Sequence, residues 1–445
     1  MKLSPSSYTL RRLVAGLVIS TIAFIGLLSL EAHFRPMATQ GLYFQQWSSE
    51  TMMQTVSIED LSNEPMQSLW YLHIQPPAFD TLRAILACVV NSDNATVTLW
   101  RVDRCLYYLW AVVYGMSIFI VFWWISDITS IVFAAGAALL FSAHPALIFY
   151  ATLLETTLLS AFLVLCFSYL LWRIREGRSV SALLLAISFL TLYFTRSIFQ
   201  WHWLLLLPLC LMLLRYPRRS MLLFFTITFC VVSLYTVKQM SLFGISSTSS
   251  FTGLNLANSI GVADAWEYYR HTTAPDGATF SVSPSVLSRV KKINGALNFN
   301  NSHYLEVNHR LQDKYHRQLL STPLRTLAGN VLSNLRIYLL PSSRYTPHLI
   351  VDRIPWRSEY DIMMSFPILP SLLLFASCFW LWRAHKSSYL RTIGLCLPLA
   401  CIAIISVLFE RGENMRFKFF IEPVLFCFLA IQTYTVGLVA VRSKP

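Results

Sequence analysis

The chain has 445 residues, of which 55% are hydrophobic and only 13% charged, and it carries a formal net charge of +13. A soluble domain carries about twice that charged fraction, and the apolar runs here approach about 20 residues, enough to cross a hydrocarbon core roughly 30 Å thick. The composition therefore excludes an ordinary soluble enzyme, and runs that are continuous rather than alternating exclude a β-barrel. It predicts an all-α polytopic membrane protein.

In chain order, the first run covers about 13–31. Arg11 and Arg12 precede it, but "LVAGLVISTIAFIGLLSL" is long and leads into "EAHFRP" without a small-residue cleavage pattern. It reads as a retained first span. A loop over 32–104 follows, with two weakly amphipathic pieces near 47–56 and 70–90. The second piece holds Pro76, Pro77, Asp80 and Arg83, and if it spanned, every later segment would invert. It is predicted to lie flat on the membrane surface. Further spans are predicted at 105–125, 130–150, 153–172, 180–199, 201–215 and 220–240.

A second long loop, 241–361, begins with turn-rich "SLFGISSTSSFTGLNLANSIG". It continues as two amphipathic helices divided by a Ser-Thr-Pro break at 321–323 and ends in "PSSRYTPHLIVDRIPWRSEYD". Spans at 362–382, 392–409 and 418–440 complete about ten. The chain thus divides into an N-terminal membrane module (1–240), a long, partly helical loop (241–361) and C-terminal membrane helices (362–445).

Net charge is concentrated in the short connections. With both termini cytoplasmic, these hold Lys2, Arg11, Arg12, Arg173, Arg175, Arg178, Arg215, Arg218, Arg219, Arg383, Lys386, Arg391, Arg442 and Lys444, against only Asp127 and Glu176. That bias is the positive-inside signal, so no nucleic-acid partner is needed to explain the basicity. Both long loops then face the extracytoplasmic side of what is predicted to be a bacterial inner membrane. Nine cysteines fall in apolar segments without paired spacing and read as small buried hydrophobes.

Polar residues at the far-side ends of spans are expensive unless paired or useful. They include Glu155, Arg196, His202, Lys238 and the acids and bases of "FERGENMRFKFFIEP" (Glu410, Arg411, Glu413, Arg416, Lys418, Glu422). The first loop adds Glu50, Glu59, Asp60 and His73. Each has a structural alternative. Lys238 can snorkel, Glu155 can cap a helix, Glu59-Asp60 can be a solvated turn, and the ERGENMRFK charges can form an ion-pair network. Their convergence on one side favours a functional surface.

The segment "LWYLHIQPPAFDTL" resembles the His-x-x-Pro-Pro or His-Pro-Pro-Leu-Tyr-Tyr signature of GT-C superfamily multi-span glycosyltransferases, such as protein O-mannosyltransferases and lipid A aminoarabinose transferases. "HPALIFYATLLETTLLSAFLVL" and "ENMRFKFFIEPVLF" are similar to later segments of the same superfamily. The resemblance implies a GT-C-like fold with juxtamembrane helices in the first loop. It also implies inverting transfer of a sugar from a polyprenyl- or dolichyl-phosphate carrier to a lipid, glycan or protein acceptor. The superfamily's early Asp or Asp-Glu has no direct counterpart, because Glu50 is the only acid in "GLYFQQWSSETMMQTV". Glu50 and, nine to ten residues on, Glu59-Asp60 stand in its place.

Such a reaction needs a base for the acceptor hydroxyl and cations for the departing lipid phosphate. Glu50 or Asp60 is the candidate base, with Glu155 orienting the acceptor or balancing the arginines. Arg196, Arg344, Arg411 and Arg416 are candidates for the phosphate, since a guanidinium grips it with paired hydrogen bonds. His73 and Gln75 are candidates for sugar hydroxyls, and Trp47, Trp70 and Tyr345 for stacking on sugar or prenyl groups. No dense metal-ligand cluster occurs, so a divalent metal stays open. The rival readings are an O-antigen ligase or polymerase, a lipid-linked sugar flippase or transporter, and a non-catalytic assembly subunit.

Overall fold

A computed structural model describes residues 5–34, 48–52, 54–261, 285–289, 291–346, 351–365 and 386–442. Trp47, Cys378 and most of the predicted 362–382 span lie outside the described residues. Among the described residues the chain is helical, without a strand. The helices are α1 (Pro5–Phe34), α2 (Ile58–Asn63), α3 (Pro65–Trp70), α4 (Ala78–Val89), α5 (Ala95–Ser126), α6 (Ile131–Ser142), α7 (Pro145–Ala151), α8 (Thr156–Arg175) and α9 (Ala182–Thr195). After these come α10 (Trp203–Leu213), α11 (Arg218–Phe243), α12 (Thr252–Ser259), α13 (Ser302–Ser321), α14 (Leu324–Leu339), α15 (Arg357–Ser365), α16 (Lys386–Phe409), α17 (Asn414–Phe419) and α18 (Glu422–Arg442).

Five described helices, α1, α5, α8, α11 and α16, are long and apolar enough to cross a bilayer, or six if α6 and α7 form one broken span. The expected span at 362–382 lies mostly outside the described residues, so this number is that of the described helices. The 180–199 and 201–215 runs become α9 and α10, with only 14 and 11 residues. At 1.5 Å per residue neither reaches roughly 30 Å. The 130–150 run is not straight either, since α6 and α7 meet at 62°. Pro145 supplies no N–H to the α6 ladder, and His144 Nδ1 instead accepts the Ala146 N–H at 3.1 Å, starting a new helix in a new direction.

The buried helices α5 and α8 form the centre, while α1 and α11 leave most of their apolar surface outward. At one end of this bundle Arg12 bonds Ser126 and Asp127, both at 2.6 Å. Arg178 reaches Asp127 at 3.0 Å, and Arg391 bonds the Arg175 carbonyl at 3.3 Å. Basic residues from three separate segments thus share one end. The expectation that all cysteines are buried fails at Cys88 and Cys230, which are exposed on helices α4 and α11.

The two long loops interlock as one layer at the other end. The first predicted amphipathic piece forms only a 3-10 turn, Ser49–Thr51, and the second becomes α3, a turn and α4. Helix α4 buries Phe79, Asp80, Arg83, Ala84 and Ala87 while Ile85 and Val89 point outward. Charge inside and aliphatics outside is the pattern of a helix that meets lipid. Asn300 of the second loop accepts the His73 N–H at 2.9 Å and donates to the Tyr71 carbonyl at 3.2 Å. Asn94, the other Asn of an Asn-x-Ser/Thr triplet, caps α5 by accepting from Thr96 N–H at 2.9 Å. Both asparagines therefore have structural work.

Helices α12 and α13 cross at Gly253, where a Cβ would overlap the Asn308 carbonyl oxygen. Gly253→Ala is expected to destabilise the loop layer by about 1–3 kcal/mol, because backbone has to move aside. Thermal unfolding followed by tryptophan fluorescence checks this.

Candidate functional site

Two polar clusters form in the half of the protein that holds the loop layer. The first joins the loops to each other. Glu50 is fully buried, and its carboxylate accepts Ile58 N–H at 2.5 Å, Ser57 Oγ–H at 3.2 Å and Asn294 N–H at 3.3 Å. It braces the start of α2. Beside it Asp80 accepts from Gln75 at 2.7 Å and Arg83 at 2.6 Å. Lys292 Nζ reaches the Glu50 and Met52 carbonyls at 3.0 and 2.7 Å and Thr55 Oγ1 at 3.0 Å. Burial pushes Lys292 down to about 7.

That shift has a sign. Between about pH 7 and the ordinary lysine value, the unfolded chain binds a proton that the folded chain does not, so stability rises with pH across that window. Below about 7 the full cost of burying the charge is present. Hydrogen exchange over 291–301 is expected to be slower relative to the intrinsic rate at pH 9 than at pH 6.

Asp60, on α2, behaves differently from Glu50. Its Oδ1 lies 3.0 Å from Arg289 Nε, which also pairs with Glu59. Its Oδ2 is buried with no hydrogen-bond partner among the described residues. Burial raises Asp60 to about 6, with Arg289 opposing and Glu59 reinforcing. His73 is fully buried, its Nδ1 2.9 Å from Ser250 Oγ, and burial holds it neutral with a value of about 3.

The second cluster surrounds α17. Arg416 directs four of its five N–H donors to protein. These go to Thr157 Oγ1 (3.2 Å), Tyr345 Oη (3.0 Å), Glu413 (2.7 Å) and Glu155. Tyr345 donates in turn to Glu413 at 2.9 Å. Burial works to raise Glu413, but the Arg416 charge outweighs it and holds the carboxyl below its usual range. Lys418, two residues on, faces Glu422 at 3.7 Å and bonds the Leu340 carbonyl at 2.6 Å. Glu422 also accepts from Ser342 Oγ at 2.6 Å and lies 3.4 Å from His144 Nε2.

Arg196 differs from its neighbours. It is buried after the last turn of α9, bonds Thr156 Oγ1 at 2.7 Å and lies 5.5 Å above the Phe417 ring. Among the described residues it has no carboxylate partner. Burial and the nearby Arg416 charge push it down, with Glu155 and Glu413 opposing. Glu155 Oε1 is likewise buried without a partner there. Next to Arg196 opens a cleft lined in part by Ser197, Gln200, Asn255, Glu410 and Phe417.

Helix α5 links the clusters. Asp103 holds Ser48 Oγ at 2.6 Å, and Trp110, packed on Phe79, donates to the Glu155 carbonyl at 3.1 Å. Seven residues of helix separate these contacts, about 10 Å along its axis.

The predicted site residues thus divide. Glu155, Arg196, Tyr345 and Arg416 come together, whereas Glu50, Asp60, His73 and Gln75 belong to the loop cluster. Arg344 is largely exposed, 3.7 Å from Asp361, and Arg411 is exposed with its guanidinium against Gly261. Trp70 is exposed on α3 with Lys238 5.6 Å over its ring. Sequence reasoning did not single out Lys292, His144, Asp361 or Asn255 for any role. His144 had a readable signal, a histidine before proline inside an apolar run. Among the described residues no three His, Cys, Asp or Glu side chains converge to hold a metal. Comparison with protein-family models gave no match, and comparison with curated proteins gave none either.

Proposed function

We infer that the protein is a membrane glycosyltransferase that moves a sugar from a polyprenyl- or dolichyl-phosphate carrier to a lipid, glycan or protein acceptor on the extracytoplasmic side. The observation that carries this reading is Arg196, a buried guanidinium without a directly bonded carboxylate among the described residues, next in the chain to Ser197 at the edge of a mixed polar and apolar cleft. A buried unpaired cation is costly, and a phosphate arriving in the cleft relieves that cost with charge-assisted hydrogen bonds. The acceptor oxygen attacks the anomeric carbon, the carbon–oxygen bond to phosphate breaks, and Arg196 stabilises the charge gathering on the departing lipid phosphate.

The acceptor's proton goes to Glu155 in this account. Its Oε1 is unpartnered in the cluster that holds Arg196, whereas Asp60 stands in the loop cluster against Arg289 and Glu50 is committed to backbone N–H groups. Incubation of the purified protein with a panel of radiolabelled polyprenyl-phosphate sugars and acceptors tests the reading. Release of lipid phosphate with sugar on the acceptor is expected. Passage of intact carrier across vesicles without release would instead make the protein a flippase.

A further inference from the structure

Helix α11 turns an apolar surface outward, with Leu234, Val237 and Ser241 exposed along one face. Lys238 stands on that face, one turn beyond Leu234 and about 8 Å short of the helix end at Phe243. Its Nζ makes no ion pair or hydrogen bond among the described residues. Three rings surround it instead, Tyr235 at 5.2 Å and Trp70 and Phe243 each at 5.6 Å. Two belong to α11 and the third to α3 of the first loop, so the ammonium occupies a seam between a span and the loop layer.

The seam is built rather than incidental. Gln239, fully buried, donates to Tyr235 Oη at 3.0 Å and fixes that ring. His73 packs its ring 5.1 Å from that of Phe243, and His309 Nε2 lies 2.9 Å from the Phe243 carbonyl. On the open side Trp70 and Met66, one turn apart on α3, are both exposed. Cation–π contacts hold an ammonium in place without cancelling its charge. A positive charge on a surface that faces acyl chains is costly unless an anion meets it, and the long lysine stem carries the charge toward the headgroups. The apolar neighbours select an anion that brings its own chains.

We propose that the Lys238–Trp70–Tyr235–Phe243 seam binds the phosphate headgroup of an anionic glycerophospholipid in the leaflet that adjoins the loop layer. The ammonium pairs with a phosphate oxygen, the Trp70 indole N–H is a second donor, and the acyl chains run along Leu234 and Val237. A lipid held this way ties α3 to α11 and so anchors the first loop to the bundle. The assignment needs only a membrane-embedded chain and stands apart from the glycosyltransferase reading.

Hydrogen exchange of the full-length protein in nanodiscs of phosphatidylglycerol or of phosphatidylcholine tests this. Exchange over 65–71 is expected to be about fivefold slower in phosphatidylglycerol, the effect of one lysine meeting an anionic headgroup. Lys238→Met should abolish the difference, and Lys238→Arg should keep it within about twofold. Glycerol phosphate added to phosphatidylcholine nanodiscs should not reproduce it. Equal exchange of the wild-type protein in the two lipids would overturn the site, leaving the lysine satisfied by its rings alone. A difference that persists in Lys238→Met would assign the effect to general surface charge and overturn it as well. Protection by glycerol phosphate would make the seam a site for free phosphate and not for lipid.

Discussion

Arg416→Ala is expected to destabilise the protein by about 3–5 kcal/mol, because it leaves Glu155 as a buried charge without its partner. Glu413 and Tyr345 lose a partner in the same step. Expression, the unfolding temperature in detergent and activity should fall together. Arg196→Ala provides the contrast. That guanidinium has one hydrogen bond to a threonine, so its removal should shift the melting temperature little while abolishing turnover. The pair separates two arginines that look alike in sequence, one consumed by the protein and one available to a ligand. A cold, inactive Arg196→Ala protein with an intact Arg416→Ala one would reverse these roles.

Glu155→Gln is expected to lower turnover by about 10²–10⁴-fold, the usual contribution of a general base. Glu50→Gln should act differently, costing about 1–3 kcal/mol of stability because an amide nitrogen would meet one of the donors that Glu50 now accepts. Normal turnover in Glu155→Gln would contradict that role, which rests on the unpartnered Glu155 Oε1 in the Arg196 cluster.

Much of the bundle was readable because its long helices are continuous apolar runs. Helices α1, α5, α8 and α11 each correspond to such a run. Two runs came out shorter than expected, because hydropathy alone has no sense of length. "TRSIFQWHW" stays apolar enough to look like the joint of two spans, yet α9 ends at Thr195 and α10 starts only at Trp203. The meeting of Glu155 with Arg416 was anticipated as convergence, but the saturation of Arg416 was not, since that depends on Thr157 and Tyr345 arriving from elsewhere. The loop cluster was harder still. Lys292 and Glu50 stand 242 residues apart in the chain, and nothing local in "SRVKKING" shows that one lysine is buried against the first loop. Asn300 and His73 pose the same problem at a separation of 227.

Cryo-electron microscopy of the protein with a polyprenyl phosphate bound would test the central claim most directly. The phosphate is predicted within hydrogen-bond reach, about 2.7–3.2 Å, of the Arg196 guanidinium at the mouth of the Gln200–Asn255–Glu410 cleft. A phosphate seated instead among Arg178, Arg175 and Arg391 at the opposite end of the bundle would contradict it.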